Sequence, residues 1–299
     1  MVGSLQGSSI TAVFGRIWLQ VSFHSIEERP GVCTGGWRAG RLPVVKETLY
    51  SALLEIVKTR RSIHRFKPEP LRDELLDKLL EVARWAPSGM NLQPWEFVIV
   101  KEPDLKASIV QLVEADYQVS RQMEQSRDPL YRSAQKDFYA GSEKYDYKQA
   151  PVFILVFGDT RTLPGLPLVV QYTQQRVRYT FQASLSNALL YLHLAAATLG
   201  LASRWISAVQ SPLAAHGIKD LLGLPEFLEV LDMMAVGYPA LEPKPKLMRK
   251  KQQMIHYGRS KPAEFRTDRE VETYIRKARS WSSATHSRSA ESRFLGADL

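Results

Sequence analysis

Residues 86–95 read Ala-Pro-Ser-Gly-Met-Asn-Leu-Gln-Pro-Trp, and this run separates two different hydrophobic periods. Upstream, Leu75, Leu76, Leu79, Leu80 and Ala83 recur at helical spacing over residues 71–85. Pro87 ends that helix, because a proline pushes the residue before it out of the helical region. Downstream, residues 96–100 make a short apolar strand. Pro87 and Pro94 stiffen the link, and Gly89 permits a close approach by a neighbour. Ser88, Asn91 and Gln93 put three hydrogen-bonding side chains on one rigid loop, a set suited to a planar heterocycle with mixed donors and acceptors. A structural turn braced by Asx-type bonds accounts for the same residues.

Working outward, Leu49, Leu53, Ile56 and Val57 share a helical face, and residues 151–158 (PVFILVFG) form a strand dense enough to be buried on both sides. A long helix follows over residues 177–199, stopped by Gly200. Residues 203–209 read as a strand, 213–222 as a helix and 229–236 as the last strand of the core. Helices mixed with about four short strands, without regular βαβ alternation, predict an α+β fold. Residues 1–44 read as a loosely ordered leader, 45–278 as the folded domain and 279–299 as a disordered tail rich in Ser, Arg and Ala. Within the domain, residues 111–149 are polar, aromatic and partly helical, and read as an insertion or lid.

Composition narrows the function classes. The chain has 299 residues, 44% of them hydrophobic, enough for one sizeable core. No apolar run reaches the ~18–20 residues that span a bilayer; the longest, 185–201, is broken by Ser186, Asn187, His193 and Thr198. A formal net charge of +9 suits an anionic small molecule, a nucleic acid or a membrane surface, or has no specific meaning. No zinc finger or aromatic RNA-binding motif accompanies the charge, which disfavours nucleic acid. The single cysteine, Cys33, excludes an intrachain disulfide and a CxxC metal site, and fits a cytoplasmic location. The sequence has no GxGxxG after a strand, no GxxxxGK[ST], no HExxH and no GxSxG. The six histidines show no metal-ligand spacing, and His193, inside an apolar helix, reads as a core histidine.

Two further motifs carry chemistry. Arg60-Arg61-Ser62 closes the first helix and precedes an extended run, Ile63-His64-Arg65-Phe66. Two planar guanidiniums and a hydroxyl make a good oxyanion binder, although cations at a helix C-terminus are also favoured by the helix dipole. Gly237-Tyr238-Pro239-Ala240 follows the last strand and leads into Lys244, Lys246, Arg249, Lys250 and Lys251, a charge run that is either a solvated face or the completion of a phosphate site.

In chain order, Arg60-Arg61-Ser62-Ile63, Pro87-Ser88 with Asn91 and Gln93-Pro94-Trp95, Gly200-Leu201-Ala202-Ser203-Arg204-Trp205, and Gly237-Tyr238-Pro239 resemble the nitroreductase-like FMN enzymes over residues 45–260. The resemblance implies a central mixed or antiparallel sheet flanked by helices, in an intertwined homodimer whose C-terminal extension, about 248–278, wraps the partner. It implies that Arg60, Arg61 and Ser62 hold the FMN phosphate and ribityl chain, with Arg249 reaching the phosphate. Pro87, Ser88, Asn91 and Gln93 would contact the isoalloxazine ring across the dimer interface. The backbone of Ile206, Ser207 and Ala208 would lie near flavin N5. His64 stands where Lys or Arg is common, facing the N1/C2=O edge, so it supplies a full positive charge to the reduced flavin only when protonated.

The implied activity is ping-pong transfer of hydride from NADH or NADPH through FMN to an electron-poor small molecule, nitroaromatic or quinone-like, with no catalytic side chain required for the first step. Relatives on this scaffold also carry out reductive dehalogenation or oxygen-dependent flavin fragmentation. Glu114, Tyr117, Tyr139, Glu143, Tyr145, Tyr147 and Lys148 in the lid either clamp an amino-acid zwitterion or form an ordinary polar lid. A non-catalytic flavin- or nucleic-acid-binding protein is the reading from another class, motivated by the basic positions at 244–251.

Overall fold

The computed structural model describes residues 10–14, 17–21, 47–127, 146–242 and 245–284. Residues 285–299 and most of the predicted lid, 128–145, lie outside the described residues. The chain divides into two units, Met1–Leu49 and Tyr50–Leu299. In the first, β1 (Ile10–Phe14) and β2 (Ile17–Val21) pair antiparallel, with Ile10 opposite Val21. This hairpin falls within the segment read from sequence as a leader.

The second unit carries the core. A four-stranded sheet has the order β3 (Trp95–Val100), β4 (Val152–Asp159), β6 (Leu228–Gly237), β5 (Ala202–Ile206), and every neighbouring pair is antiparallel. The expected α+β class and its four core strands are therefore present. The third strand is shorter than expected. It ends at Ile206, and Ser207–Gln210 turn into a short 3-10 helix.

β4 is buried along nearly its whole length, because helices cover both faces of the sheet. On one face lie α2 (Asp73–Ala83) and α5 (Gln174–Thr198), sharing a core with Val152, Ile154, Val156, Met234 and Val236. α2 buries the stripe Leu75, Leu76, Leu79 and Ala83 that its periodicity predicted. Leu79 is fully buried, and its truncation to alanine would cost about 2–5 kcal/mol. Opposite Gly158 of β4, α5 comes so close that an added Cβ would stand 2.3 Å from Phe181 Cζ and 2.6 Å from Leu185 Cδ1.

The other face packs against α3 (Pro103–Gln125) and α6 (Pro212–Leu222), around Phe153, Leu155, Phe157, Met233 and Ala235. Ser211 caps α6 by accepting from the Ala214 N–H at 3.3 Å, and Gly223, with φ 62°, ends it in the left-handed conformation. α1 (Glu47–Thr59) opens the domain, short α4 (Leu168–Gln171) precedes α5, and α7 (Asp268–Ala284) ends the described chain. α7 thus continues past the boundary drawn at residue 279. No helix among the described residues is long and apolar enough to cross a membrane.

Candidate functional site

The segment after α1 is stitched to two others far away in sequence. The Ile63 N–H donates to Ser203 O at 3.0 Å, and Ser62 forms a parallel bridge to Ser203 on β5. A few residues on, the Lys67 N–H donates to Tyr238 O at 2.9 Å, and the Ala240 N–H donates to Arg65 O at 3.1 Å. Three of the four quoted motifs therefore meet at one place. Buried Ile63 and Phe66 pin the extended run, and between them His64 is half-buried. Ile63 and Phe66, three residues apart, are the buried anchors on either side of the polar pair His64 and Arg65.

Arg60 and Arg61 emerge beside this junction, both half-buried, with Ser62 exposed. Arg61 donates through Nη1 to Arg60 O at 2.9 Å and to Lys58 O, so part of its fork caps the end of α1. That satisfies the helix-end role foreseen for the motif. Burial, and next the adjacent Arg61 charge, press the Arg60 guanidinium below its usual affinity for protons. Two like charges held together and partly desolvated are unfavourable without a compensating anion. His193 of α5 stands nearby. Its Nδ1 lies 2.8 Å from Ser203 Oγ, while its Nε2 is buried without a hydrogen-bond partner among the described residues. Burial first and Arg60 second lower its pKa to about 4. The core-histidine expectation holds for its burial and for one of its two nitrogens.

The Pro87 loop has a different anchorage. The Gly89 N–H donates to Ser184 Oγ at 3.1 Å, and Asn187 Nδ2 donates to Pro87 O at 3.0 Å, both from α5. Met90, Asn91 and Gln93 all have positive φ, at 53°, 54° and 46°. Asparagine tolerates that region; methionine and glutamine rarely enter it, and such strain clusters at ligand-binding loops. The loop is braced from within. Ser88 Oγ accepts from the Gln93 N–H at 3.0 Å, and Asn91 Oδ1 accepts from Gln93 Nε2 at 3.3 Å. The structural-turn and ligand-loop readings are therefore compatible, since the internal bonds hold an exposed Asn91 and Gln93 in place. A cavity of about 380 Å³ lies between this loop and α5, lined by Pro87, Ser88, Gly89, Tyr179, Thr180, Ala183, Ser184 and Asn187.

The loop and the arginine segment meet α5 on different faces. Ser184 and His193 are nine residues apart, about two and a half turns, which puts them on opposite sides and about 14 Å apart along the axis. One chain does not bring Arg60 and Asn91 into one pocket. Ile206 is fully buried at the far end of β5 from Ser203, followed by exposed Ser207 and half-buried Ala208. Arg249 is engaged locally, with Nη2 donating to Gln253 O, while its Nε is buried without a partner among the described residues.

Sequence reading missed Thr180, Ser184 and Asn187, the wall of the cavity. The signal was present: they recur at i, i+4 and i+7, a spacing that puts three polar side chains on one face of the helix. The proposed lid clamp is rearranged. Lys148 and Glu114 pair with each other at 2.6 Å, and Tyr147 is buried with its ring 4.8 Å from the Arg204 guanidinium. Tyr139, Glu143 and Tyr145 lie outside the described residues.

Hydrophobic side chains stand exposed on α1 (Leu49, Tyr50, Leu53, Val57) and along the stretch before α7 (Met254, Ile255, Tyr257, Phe265).

Comparison with known proteins adds an independent line. The family model described as the nitroreductase family matches residues 57–238, more than half of the chain. Iodotyrosine deiodinase from Drosophila melanogaster is 31% identical over 189 residues, covering 62% of this chain and 62% of that protein. Iodotyrosine deiodinase 1 from Rattus norvegicus is 29% identical over 187 residues, 62% of this chain and 61% of its own. The match thus spans about three fifths of the length of these relatives. A crystal structure of oxidized iodotyrosine deiodinase bound to FMN and 3-iodo-L-tyrosine is 30% identical, with a TM-score of 0.53, covering 70% of this chain and 100% of that one.

Proposed function

The chain belongs to the nitroreductase family, and on that premise we propose that it is an FMN-dependent oxidoreductase that takes hydride from NADH or NADPH and passes reducing equivalents to an electron-poor small molecule, by ping-pong, as a cytoplasmic homodimer. The observation that carries this reading is the junction of Ile63 with Ser203 and of Lys67 with Tyr238, which unites three motifs around two crowded guanidiniums. Arg60 and Arg61 fit the phosphate of FMN because a dianion relieves the repulsion between partly desolvated like charges. When bound, FMN supplies the two-electron carrier chemistry.

The chain's own groups bind and orient. Arg60, Arg61 and Ser62 grip the phosphate end. His64 offers its imidazole to the ring edge where negative charge collects. The backbone N–H groups of Ser207 and Ala208 are the donors closest in the chain to the end of β5. Pro87, Ser88, Asn91 and Gln93 contact the ring from the other subunit. The two-subunit site is supported by the opposite-face geometry on α5, and by exposed apolar side chains on α1 and before α7 that a second copy would cover. The visible spectrum of the purified protein tests the reading. Flavin bands that bleach anaerobically on adding NADH or NADPH are expected; colourless protein that takes up no FMN would end the proposal.

A second reading is reductive dehalogenation of a halotyrosine. The resemblance to iodotyrosine deiodinases at 29–31% identity favours it. Against it, Glu114 and Lys148 neutralise each other, and buried Tyr147 is unavailable for a zwitterion clamp. Turnover of nitrofurazone set against a panel of halotyrosines separates the two.

A further inference from the structure

β6 carries a carboxylate where the surrounding core has no need of one. Asp232 is 2% exposed, between Leu231 and Met233 and opposite Val156 of β4. It sits at an irregularity: the β4–β6 register slips after Val156, so that Phe157 pairs with Val230 and the chain bulges beside Asp232. Desolvating a carboxyl among such neighbours is unfavourable unless specific donors meet it.

Two donors do. Gln210 Nε2 donates to Asp232 Oδ1 at 3.0 Å, and the Trp205 side chain is the second hydrogen-bonding partner. Trp205 pairs with Met234, two residues along β6 from Asp232, and so stands on the same face of the sheet. The two donors bracket the segment 205–210. Between them lie Ile206, Ser207 and Ala208, the residues read as bordering the flavin ring.

We propose that Asp232 is the positioning residue of this turn: its buried carboxylate holds Trp205 and Gln210 together, and so fixes where the Ser207 and Ala208 N–H groups point. The assignment of those N–H groups to the flavin rests on the FMN reading above; the grip on the turn does not.

The electrostatics give the grip a pH dependence. Burial raises the Asp232 pKa to about 6, against the opposing pull of Trp205 and then Gln210. Ionised, the carboxylate accepts from both donors. Protonated, it becomes a donor itself and loses acceptor capacity, and the turn loosens. Arg178 of α5 pairs with Glu229 on β6, and Arg204 of β5 stacks over Tyr147 on the opposite face of the sheet. From β4, Val156 and Phe157 are apolar.

The test uses the full chain, first stripped of flavin and then loaded with FMN. In flavin-free protein, tryptophan emission followed from pH 4.5 to 8 is expected to change with a midpoint near 6. The change should disappear in Trp205→Phe and in Asp232→Asn. Gln210→Leu, at an exposed site that leaves the core intact, should move the midpoint upward, which keeps the test alive if Asp232→Asn does not fold. In loaded protein, Asp232→Asn should weaken FMN binding at least tenfold and remove the same pH step from the flavin midpoint potential. Emission that titrates identically in wild type, Asp232→Asn and Gln210→Leu overturns the proposal. An emission step that depends on Asp232, in a chain that never takes up FMN, supports the grip on the turn and overturns the flavin reading alone.

Discussion

His193 Nδ1 lies 2.8 Å from the Ser203 hydroxyl, joining α5 to β5 directly beneath the segment that carries the paired arginines. Ser203 is doubly used, since its backbone carbonyl receives the Ile63 N–H on the other side. The contact is buried, and its imidazole is neutral near pH 7 because burial and Arg60 depress the pKa to about 4.

That depression makes stability depend on pH. Between about 4 and the unfolded value near 6.5, the unfolded chain binds the proton that the folded chain refuses, so stability falls as pH falls across this window and is fully present above it. The effect saturates at on the order of 3 kcal/mol below the folded pKa. His193→Leu should lose about 1–2 kcal/mol at pH 7 through the orphaned Ser203 hydroxyl, yet match or exceed wild type near pH 4. Urea titrations at pH 7, 5.5 and 4 measure this; parallel curves for the two proteins would refute it.

Arg60→Ala should weaken FMN binding about 30- to 150-fold, the worth of a charge-assisted pair of about 2–3 kcal/mol, while changing riboflavin binding less than threefold. Riboflavin lacks the phosphate, so the ratio isolates the anion contact from any general damage. Flavin fluorescence quenching gives both constants, and an equal loss for the two ligands would argue against a phosphate at Arg60.

Gly89→Ala places a Cβ 2.4 Å from Thr180 Cγ2. Threonine is stiff about χ1, so the loop must move away from α5. FMN affinity should fall at least tenfold. Adding Thr180→Ser, which deletes the offending methyl and keeps the hydroxyl, should restore most of it. A single variant that binds FMN like wild type would show that the loop's seat on α5 is irrelevant to the ligand.

His64→Lys supplies a permanent cation at a position where the wild-type charge depends on protonation. The flavin midpoint potential should rise at alkaline pH, and its extra pH dependence relative to free FMN should vanish. Spectroelectrochemistry from pH 6 to 9 reads it; superimposable potential–pH lines for the two proteins would remove His64 from the flavin edge.

Much of the fold was legible because it rests on local rules. The stripe Leu75, Leu76, Leu79 and Ala83 announced α2, and the unbroken apolar run at 151–158 announced a strand covered on both faces. The end of β5 was misread, since Ile206, Ser207, Ala208 and Val209 alternate well enough to pass for a strand. At that turn Gln210 donates to Asp232, a contact across 22 residues that periodicity cannot register.

The sequence alone determined the architecture class, the motifs and their order, because hydrophobic period, proline and glycine act over a few residues. Which motifs share a place was decided by tertiary structure. Hydrogen bonds from Ile63 to Ser203 and from Lys67 to Tyr238 join segments that are remote along the chain. The helical turn that sets Ser184 and His193 on opposite sides of α5 separates the Pro87 loop from Arg60 within one chain. Such juxtapositions arise from packing a sheet between two helical layers, a global fit that no single segment encodes.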